Sequence, residues 1–309
     1  MICKKIFFTL LLWAPGIHAQ WHYIPFDTSM RNNGDEKPFR ITKKIVGIDG
    51  HLLYTLFKNT YEQYNPTHCH PSDYPRIPLI IHQIWLGSDV PEIFAHYRQS
   101  WIAAHVPRGW TYHLWTDADI QALDLYNKKL YDATDNYGMK SDIARLEIID
   151  RFGGVYVDID FECLQPLDLL HYTYDFYIGV QPLDSFFVQL NNALFGACPH
   201  HPIVRHAIES MAYAWNTYHG APQKTGPVHV TRSFYAIKKN DRSARRDIAF
   251  PASYFYPFGT QEKMLNKADW LINGSYAVHW WAKSWMPKQY RSKKFRSIEN
   301  EASTAHWDM

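Results

Sequence analysis

The chain has 309 residues, 46% hydrophobic and 20% charged, with a net charge of +2. That balance excludes a disordered chain, and the length suffices for one large or two medium domains around a sizeable core. Near-neutral charge without a dominant basic patch gives no support for nucleic-acid binding. The aromatic share of 16% supplies flat faces that suit sugar rings and nucleobases as well as core and surface anchors.

Residues 1–19 read as a targeting leader. Lys4-Lys5 forms a positive n-region, Ile6 to Trp13 an apolar h-region, and Ile17-His18-Ala19 an imperfect cleavage site before Gln20. The apolar run is short for a membrane helix, which needs about 20 residues. A cleaved signal peptide is the first reading; an uncleaved anchor, with membrane association through the N-terminus, is the second. Residues 20–75 form a polar, aromatic-containing extension with one helix expected over 51–64, ended by Asn65-Pro66. It is either wrapped on the main body or a spacer from a membrane.

Pro71, Pro75 and Pro78 mark the entry to a body spanning 76–286. There the pattern alternates: strand 79–85, helix 92–104, strand 111–115, helices 118–130 and 139–152, strand 155–160. Such alternation predicts an α/β fold with a mostly parallel, doubly wound sheet. Strands over 176–180 and 193–196, a helix over 203–215 and a last strand near 276–280 follow. Residues 287–309 form a charged, solvated tail. Without the leader, Cys69, Cys163 and Cys198 remain, so at most one disulfide forms, and no Cys-x-x-Cys pair points to zinc. Asn273-Gly274-Ser275 is a glycosylation sequon.

The most informative stretch is Gly153-Gly154-Val155-Tyr156-Val157-Asp158-Ile159-Asp160. On a strand Asp158 and Asp160 share one face, roughly 6.6 Å apart at Cα. Two carboxylates at that spacing reach one hard cation, Mg²⁺ or Mn²⁺, and leave positions open for phosphate oxygens. Upstream, Ser141 reads as a helix N-cap, and Asp142 and Arg145, three apart, share a helix face. Gly153-Gly154 turns that helix into the strand.

Ser141-Asp142-x-x-Arg145 followed by Gly153-Gly154-Val155-Tyr156-x-Asp158-x-Asp160 resembles the sugar-transferase region with the DXD motif. That region is shared by glycosyltransferase family 32, including initiating α-1,6-mannosyltransferases and inositol-phosphoceramide mannosyltransferases, and more remotely by the clostridial glucosylating toxins. Ile77 to Gly87, Asn191 to Ala197 with His201-Pro202, and His279 to Trp285 resemble further family segments in the right order. The resemblance implies a GT-A type nucleotide-diphospho-sugar transferase fold and a metal-dependent hexosyltransferase. It implies retention of anomeric configuration, and a glycan, lipid or protein acceptor.

Residue by residue, it implies that Asp160 ligates Mn²⁺ or Mg²⁺ and that Asp158 contacts the ribose or the metal's waters. His279 becomes a metal or diphosphate ligand. Asp142 and Arg145 hold the donor sugar, and Trp85 stacks on the nucleobase. Asn192 faces the acceptor or donor sugar, and Ser284 and Trp285 close over the diphosphate; Tyr156, on the acid face of its strand, either packs on the nucleotide or is core. Lys224-Thr225-Gly226-Pro227 resembles a family turn on the acceptor side and reads equally as a surface turn. His82 reads as a structural histidine. An exported transferase implies a Golgi or ER lumen, or a bacterial protein working in a host, because a bacterial periplasm lacks sugar nucleotides. Three alternatives stay open: a hydrolase using the same site, a metal-free glycosidase with two flanking carboxylates, and a catalytically dead carbohydrate-binding protein.

Overall fold

The structure is a computed structural model that describes residues 22–65, 67–183, 187–259 and 274–282. The leader, the tail, Asn273, Ser284 and Trp285 lie outside the described residues. Among those described, no helix is long and apolar enough to cross a membrane.

The extension holds three helices where one was expected: α1 (Phe26–Met30), α2 (Lys37–Val46) and α3 (Gly50–Tyr64). Asp49 caps α3 by accepting from the backbone N–H groups of His51 and Leu52. Phe26, Phe57 and Tyr61 are buried in the same core as the central strands, and the Tyr61 hydroxyl meets that of Tyr254 at 2.8 Å. The extension therefore wraps the main body.

The strands are β1 (Ile80–Ile84), β2 (Thr111–Trp115), β3 (Gly154–Val157), β4 (Phe161–Cys163), β5 (Phe176–Val180), β6 (Leu190–Ala197), β7 (Asp247–Phe250) and β8 (Ala277–His279). Six of them make one sheet in the order β2-β1-β3-β6-β5-β7. β1 runs parallel to β2 and β3, β5 runs parallel to β7, and β6 is antiparallel to β3 and β5. Five strands thus share one direction, as the α/β reading expected, and β6 opposes them. β5 and β6 are buried along their whole length. Strands covered on both faces have no exposed side to carry polar residues, so their polar groups need internal partners.

The remaining helices are α4 (Ala95–His105), α5 (Asp117–Gln121), α6 (Lys128–Asp132), α7 (Tyr137–Phe152), α8 (Asp168–Thr173), α9 (Pro202–Glu209), α10 (Met211–Thr217), α11 (Ala221–Lys224) and α12 (Pro227–Lys238). The helix expected over 118–130 is two short ones. Glu147 of α7 explains the break: its carboxylate accepts the backbone N–H groups of Tyr126 and Asn127 at 2.6 and 2.8 Å. The helix expected over 203–215 likewise divides at Ser210. Ser141 does not cap α7. Asn136 does, accepting from the Met139 N–H, which leaves Ser141 inside the helix.

Gly153 and Gly154 carry α7 into β3 with φ of 63° and 97°. A Cβ at Gly154 would lie 2.6 Å from the Ile80 carbonyl oxygen of the neighbouring strand. Only glycine permits both that conformation and that approach. The strand expected over 155–160 ends at Val157, and Asp158 to Asp160 form a turn. The Asp158 N–H donates to Ala193 O of β6 at 2.7 Å, and the Phe161 N–H returns to Asp158 O at 3.1 Å. The chain then continues as β4, which pairs antiparallel with β8 in a second, two-stranded sheet.

Candidate active site

The acids lie just beyond the carboxyl end of β3, where an open α/β sheet places its ligand. The strand geometry is replaced by a turn, yet the pair still converges. One ligand atom each from Asp158, Asp160 and His279 lie within 4.8 Å of one another. His279 is 119 residues from Asp160 in sequence, and the β4–β8 pairing sets it opposite Phe161. Its ring stacks on Phe161 with centroids 4.5 Å apart and planes 9° apart.

Asp160 is buried and fully engaged. Its Oδ1 accepts from His279 Nε2 at 3.0 Å, and its Oδ2 accepts from the Ala282 N–H at 2.7 Å. Burial alone raises its carboxyl, but the His279 ring and the Ala282 N–H outweigh that and hold it below the usual range. Asp158 Oδ1 accepts from the Tyr156 hydroxyl at 2.7 Å and faces Arg145 Nη1 at 3.1 Å. Burial and repulsion from Asp160 raise Asp158 against the pull of Arg145. His279 Nδ1 is buried without a partner among the described residues. Two carboxylates and an imidazole in this grouping fit Mn²⁺ or Mg²⁺ by donor chemistry, the nitrogen favouring Mn²⁺.

Behind the acids sits a buried network. The Arg145 side chain is 6% exposed and that of Asp142 13%, so they are no surface ion pair. The Arg145 guanidinium lies over the Tyr156 ring, 4.2 Å from its centroid. It donates to Asn192 O at 2.9 Å and to Ser141 Oγ at 2.9 Å, and stands 3.5 Å from Asp142 Oδ1. Asn192 Nδ2 donates to Asp142 Oδ1 at 2.8 Å, and Thr225 Oγ1 donates to Asp142 Oδ2 at 3.0 Å. Burial raises the Asp142 carboxyl against the pull of Arg145, Asn192 and Thr225.

Trp85 follows β1 and is half-buried. Its Nε1 donates to Asp89 O at 3.0 Å, and its ring rests on Phe94 at 5.3 Å. With Trp280 it packs against a small apolar cluster of Phe94, Tyr97, Ile159 and Ala282. Ile159 lies between the two acids, so Trp85 and the acid pair share one wall. Tyr156 is buried beneath Arg145 at 1% exposure, and touches Asp158. His82 is structural, bonded to Gly153 O at 3.0 Å and to Trp115 Nε1 at 3.1 Å. Three participants were not singled out from the sequence as site residues. Ser141 was read as a cap and Thr225 as part of a turn. Gln83 went unread, although a polar residue inside a buried strand was a signal; its Nε2 donates to Asp158 O at 3.3 Å.

Residues 91–177 match the family model of the glycosyltransferase sugar-binding region containing the DXD motif. That region, which holds Asp142, Arg145, Asp158 and Asp160, is similar to the corresponding region of the DXD-motif glycosyltransferases. It is 32% identical over 165 residues to inositol phosphoceramide mannosyltransferase 2 of Schizosaccharomyces pombe, covering 51% of this chain and 46% of the relative. It is 26% identical over 220 residues to an uncharacterized glycosyltransferase of Acanthamoeba polyphaga mimivirus, covering 68% and 84%. Among solved structures, PaToxG glycosyltransferase aligns with a TM-score of 0.46 at 16% identity, over 64% of this chain and 79% of that one. The chain spans just under half the length of two S. pombe mannosyltransferases that it matches, 45% and 46%.

Proposed function

We propose that the protein is a metal-dependent glycosyltransferase. It moves a hexose from a nucleotide-diphospho-sugar to a glycan, glycolipid or protein acceptor, with retention. The observation that carries this reading is the convergence of Asp158, Asp160 and His279 beside the buried Asp142–Arg145–Asn192 network. When bound by those three residues, Mn²⁺ or Mg²⁺ supplies positive charge to a departing diphosphate.

The chain's own residues do the rest. Asp142 offers an acceptor to a sugar hydroxyl, and Arg145, whose donors are engaged inside the network, supplies positive charge beside it and holds Asn192 and Ser141 in place. Trp85 presents a half-open ring to the base. The Phe94–Tyr97–Ile159–Ala282 wall keeps water from one side of the acid pair. Asp142 is already engaged by three side chains, so we assign it binding rather than nucleophilic attack. Retention rests on the family resemblance. For location, the same reading requires a compartment that holds sugar nucleotides: a Golgi-type lumen, or a host cell entered by an exported protein.

The test is hydrolysis of UDP-glucose, UDP-galactose, UDP-GlcNAc and GDP-mannose across a Mn²⁺ titration, in wild type and Asp160→Asn. Wild type should turn over at least one donor only with metal, and Asp160→Asn should lose activity by about 100-fold or more. Metal-dependent activity near wild type in Asp160→Asn would refute the reading. Turnover without metal points instead to a glycosidase, and binding without turnover to a carbohydrate-binding protein. The structure adds an expectation for stability. Asp160 accepts two hydrogen bonds, so the Asn variant should lose about 1–2 kcal/mol by urea unfolding, offset in part by relief of repulsion from Asp158.

A further inference from the structure

Thr225 lies in the turn between α11 and α12 and is wholly buried. Its hydroxyl has one proton to give and two acceptors in reach: Asp142 Oδ2 at 3.0 Å and Ala221 O at 3.3 Å. The carboxylate is nearer and charged, so it takes the proton. The next residue leaves room for the same oxygen only because it is glycine. A Cβ at Gly226 would stand 3.1 Å from Asp142 Oδ2 and 3.0 Å from Pro222 Cα. Pro222 and Pro227 stiffen the turn on both sides. Beyond it α12 is bolted to β6, whose Leu190 N–H donates to Thr231 Oγ1 at 2.9 Å. β6 also carries Asn192, which holds the other oxygen of Asp142. Two rigidly connected elements therefore grip one carboxylate from both sides.

We propose that Thr225 is a positioning residue for the donor sugar, setting the Asp142 carboxylate so that one acceptor direction stays open to a hexose hydroxyl. A carboxylate offers about four acceptor sites. Asn192 and Thr225 take one on each oxygen, the Arg145 guanidinium faces Oδ1 from 3.5 Å as a charge partner, and the Asp142 side chain keeps 13% of its surface exposed. The turn thereby sets the orientation of the group that reads the sugar, while touching nothing that reads the nucleotide. This rests on the transferase reading above and assigns the turn a role on the donor side of that site.

The test compares Thr225→Val, which deletes the hydroxyl at similar shape, with Thr225→Ser, which keeps it. Three quantities are read for each: KM and kcat for hydrolysis of whichever of the four donors wild type uses, affinity for the matching UDP or GDP without sugar by calorimetry, and melting temperature. Thr225→Val should raise KM for the intact donor about tenfold, through loss of a bond to a charged group. Affinity for the bare nucleotide should stay within about twofold, and Thr225→Ser should recover most of the loss. Gly226→Ala should repeat the Val pattern, and it carries the comparison with Thr225→Ala if Thr225→Val does not fold. Wild-type KM and kcat in Thr225→Val would overturn the inference alone, as would an equal loss for sugar-bearing and bare nucleotide. If wild type turns over none of the four donors, the transferase reading fails and this inference falls with it.

Discussion

Arg145 uses nearly every donor that a guanidinium has. Nε donates to Ser141 O, Nη1 to Asn192 O, and Nη2 to Ser141 Oγ, with Asp158 and Asp142 as charge partners and Tyr156 beneath the plane. A lysine could satisfy neither the fork nor the stack. Trp85 is the opposite kind of residue, tied by one N–H and resting on Phe94, with part of its ring open. Trp85→Ala should weaken donor binding by about 1–3 kcal/mol if base–aromatic stacking carries over from single-strand binders. Calorimetry with the preferred donor measures it. A variant that melts lower yet binds donor normally would make Trp85 a packing residue only.

At the scale of elements, the turn from α7 into β3 sets the position of everything downstream. Gly154 has φ of 97° and its missing Cβ faces the Ile80 carbonyl. Gly109 also has positive φ, 89°, but nothing lies within 4 Å of its missing Cβ. The two glycines separate conformational strain from steric clash. Gly109→Ala should cost about 1–2 kcal/mol from strain alone. Gly154→Ala adds overpacking against backbone and should cost at least about 3 kcal/mol. Urea unfolding of both variants makes the comparison, and equal losses would show that the β1–β3 edge yields easily. The break between α5 and α6 follows the same logic. Local propensity favours one helix, and a carboxylate from α7 takes two backbone donors away from it.

Across the whole molecule, buried neutral histidines tie the layers together. Burial lowers His82, His105 and His229 to about 4, and His171 to about 3. His105 joins α4 to the start of α8: Nδ1 donates to Trp101 O and Nε2 accepts the Leu167 N–H. His82 Nδ1 likewise accepts from Trp115 Nε1. Protonation would remove those acceptors. The unfolded chain takes up these protons near pH 6.5 and the folded chain only near 4, so stability is full above 6.5 and falls as pH drops toward 4. Melting temperature should therefore decline steeply over that window. A flat profile from pH 7 to 4.5 would show that these histidines titrate normally.

The sequence by itself determined the α/β class, most strand positions and the place of the acid pair in the chain. These depend on local signals: strand 111–115 gathers Thr111, Tyr112 and Trp115 within five residues, and Gly153-Gly154 before Asp158 and Asp160 needs no distant partner. The extension was less legible because its short helices gain stability from packing on β7 and α12 rather than from propensity. Only the tertiary structure decided that His279 meets Asp160 across 119 residues. The same holds for Thr225 and Asn192 gripping Asp142, and for the acids converging from a turn. The reason is physical. Periodicity reports which face of an element is buried, whereas a polar contact between distant elements depends on where the sheet order and the close approach of glycines bring them. The ordering β2-β1-β3-β6-β5-β7 sets α7, β6 and the β4–β8 pair around one strand end, and no local pattern encodes that order.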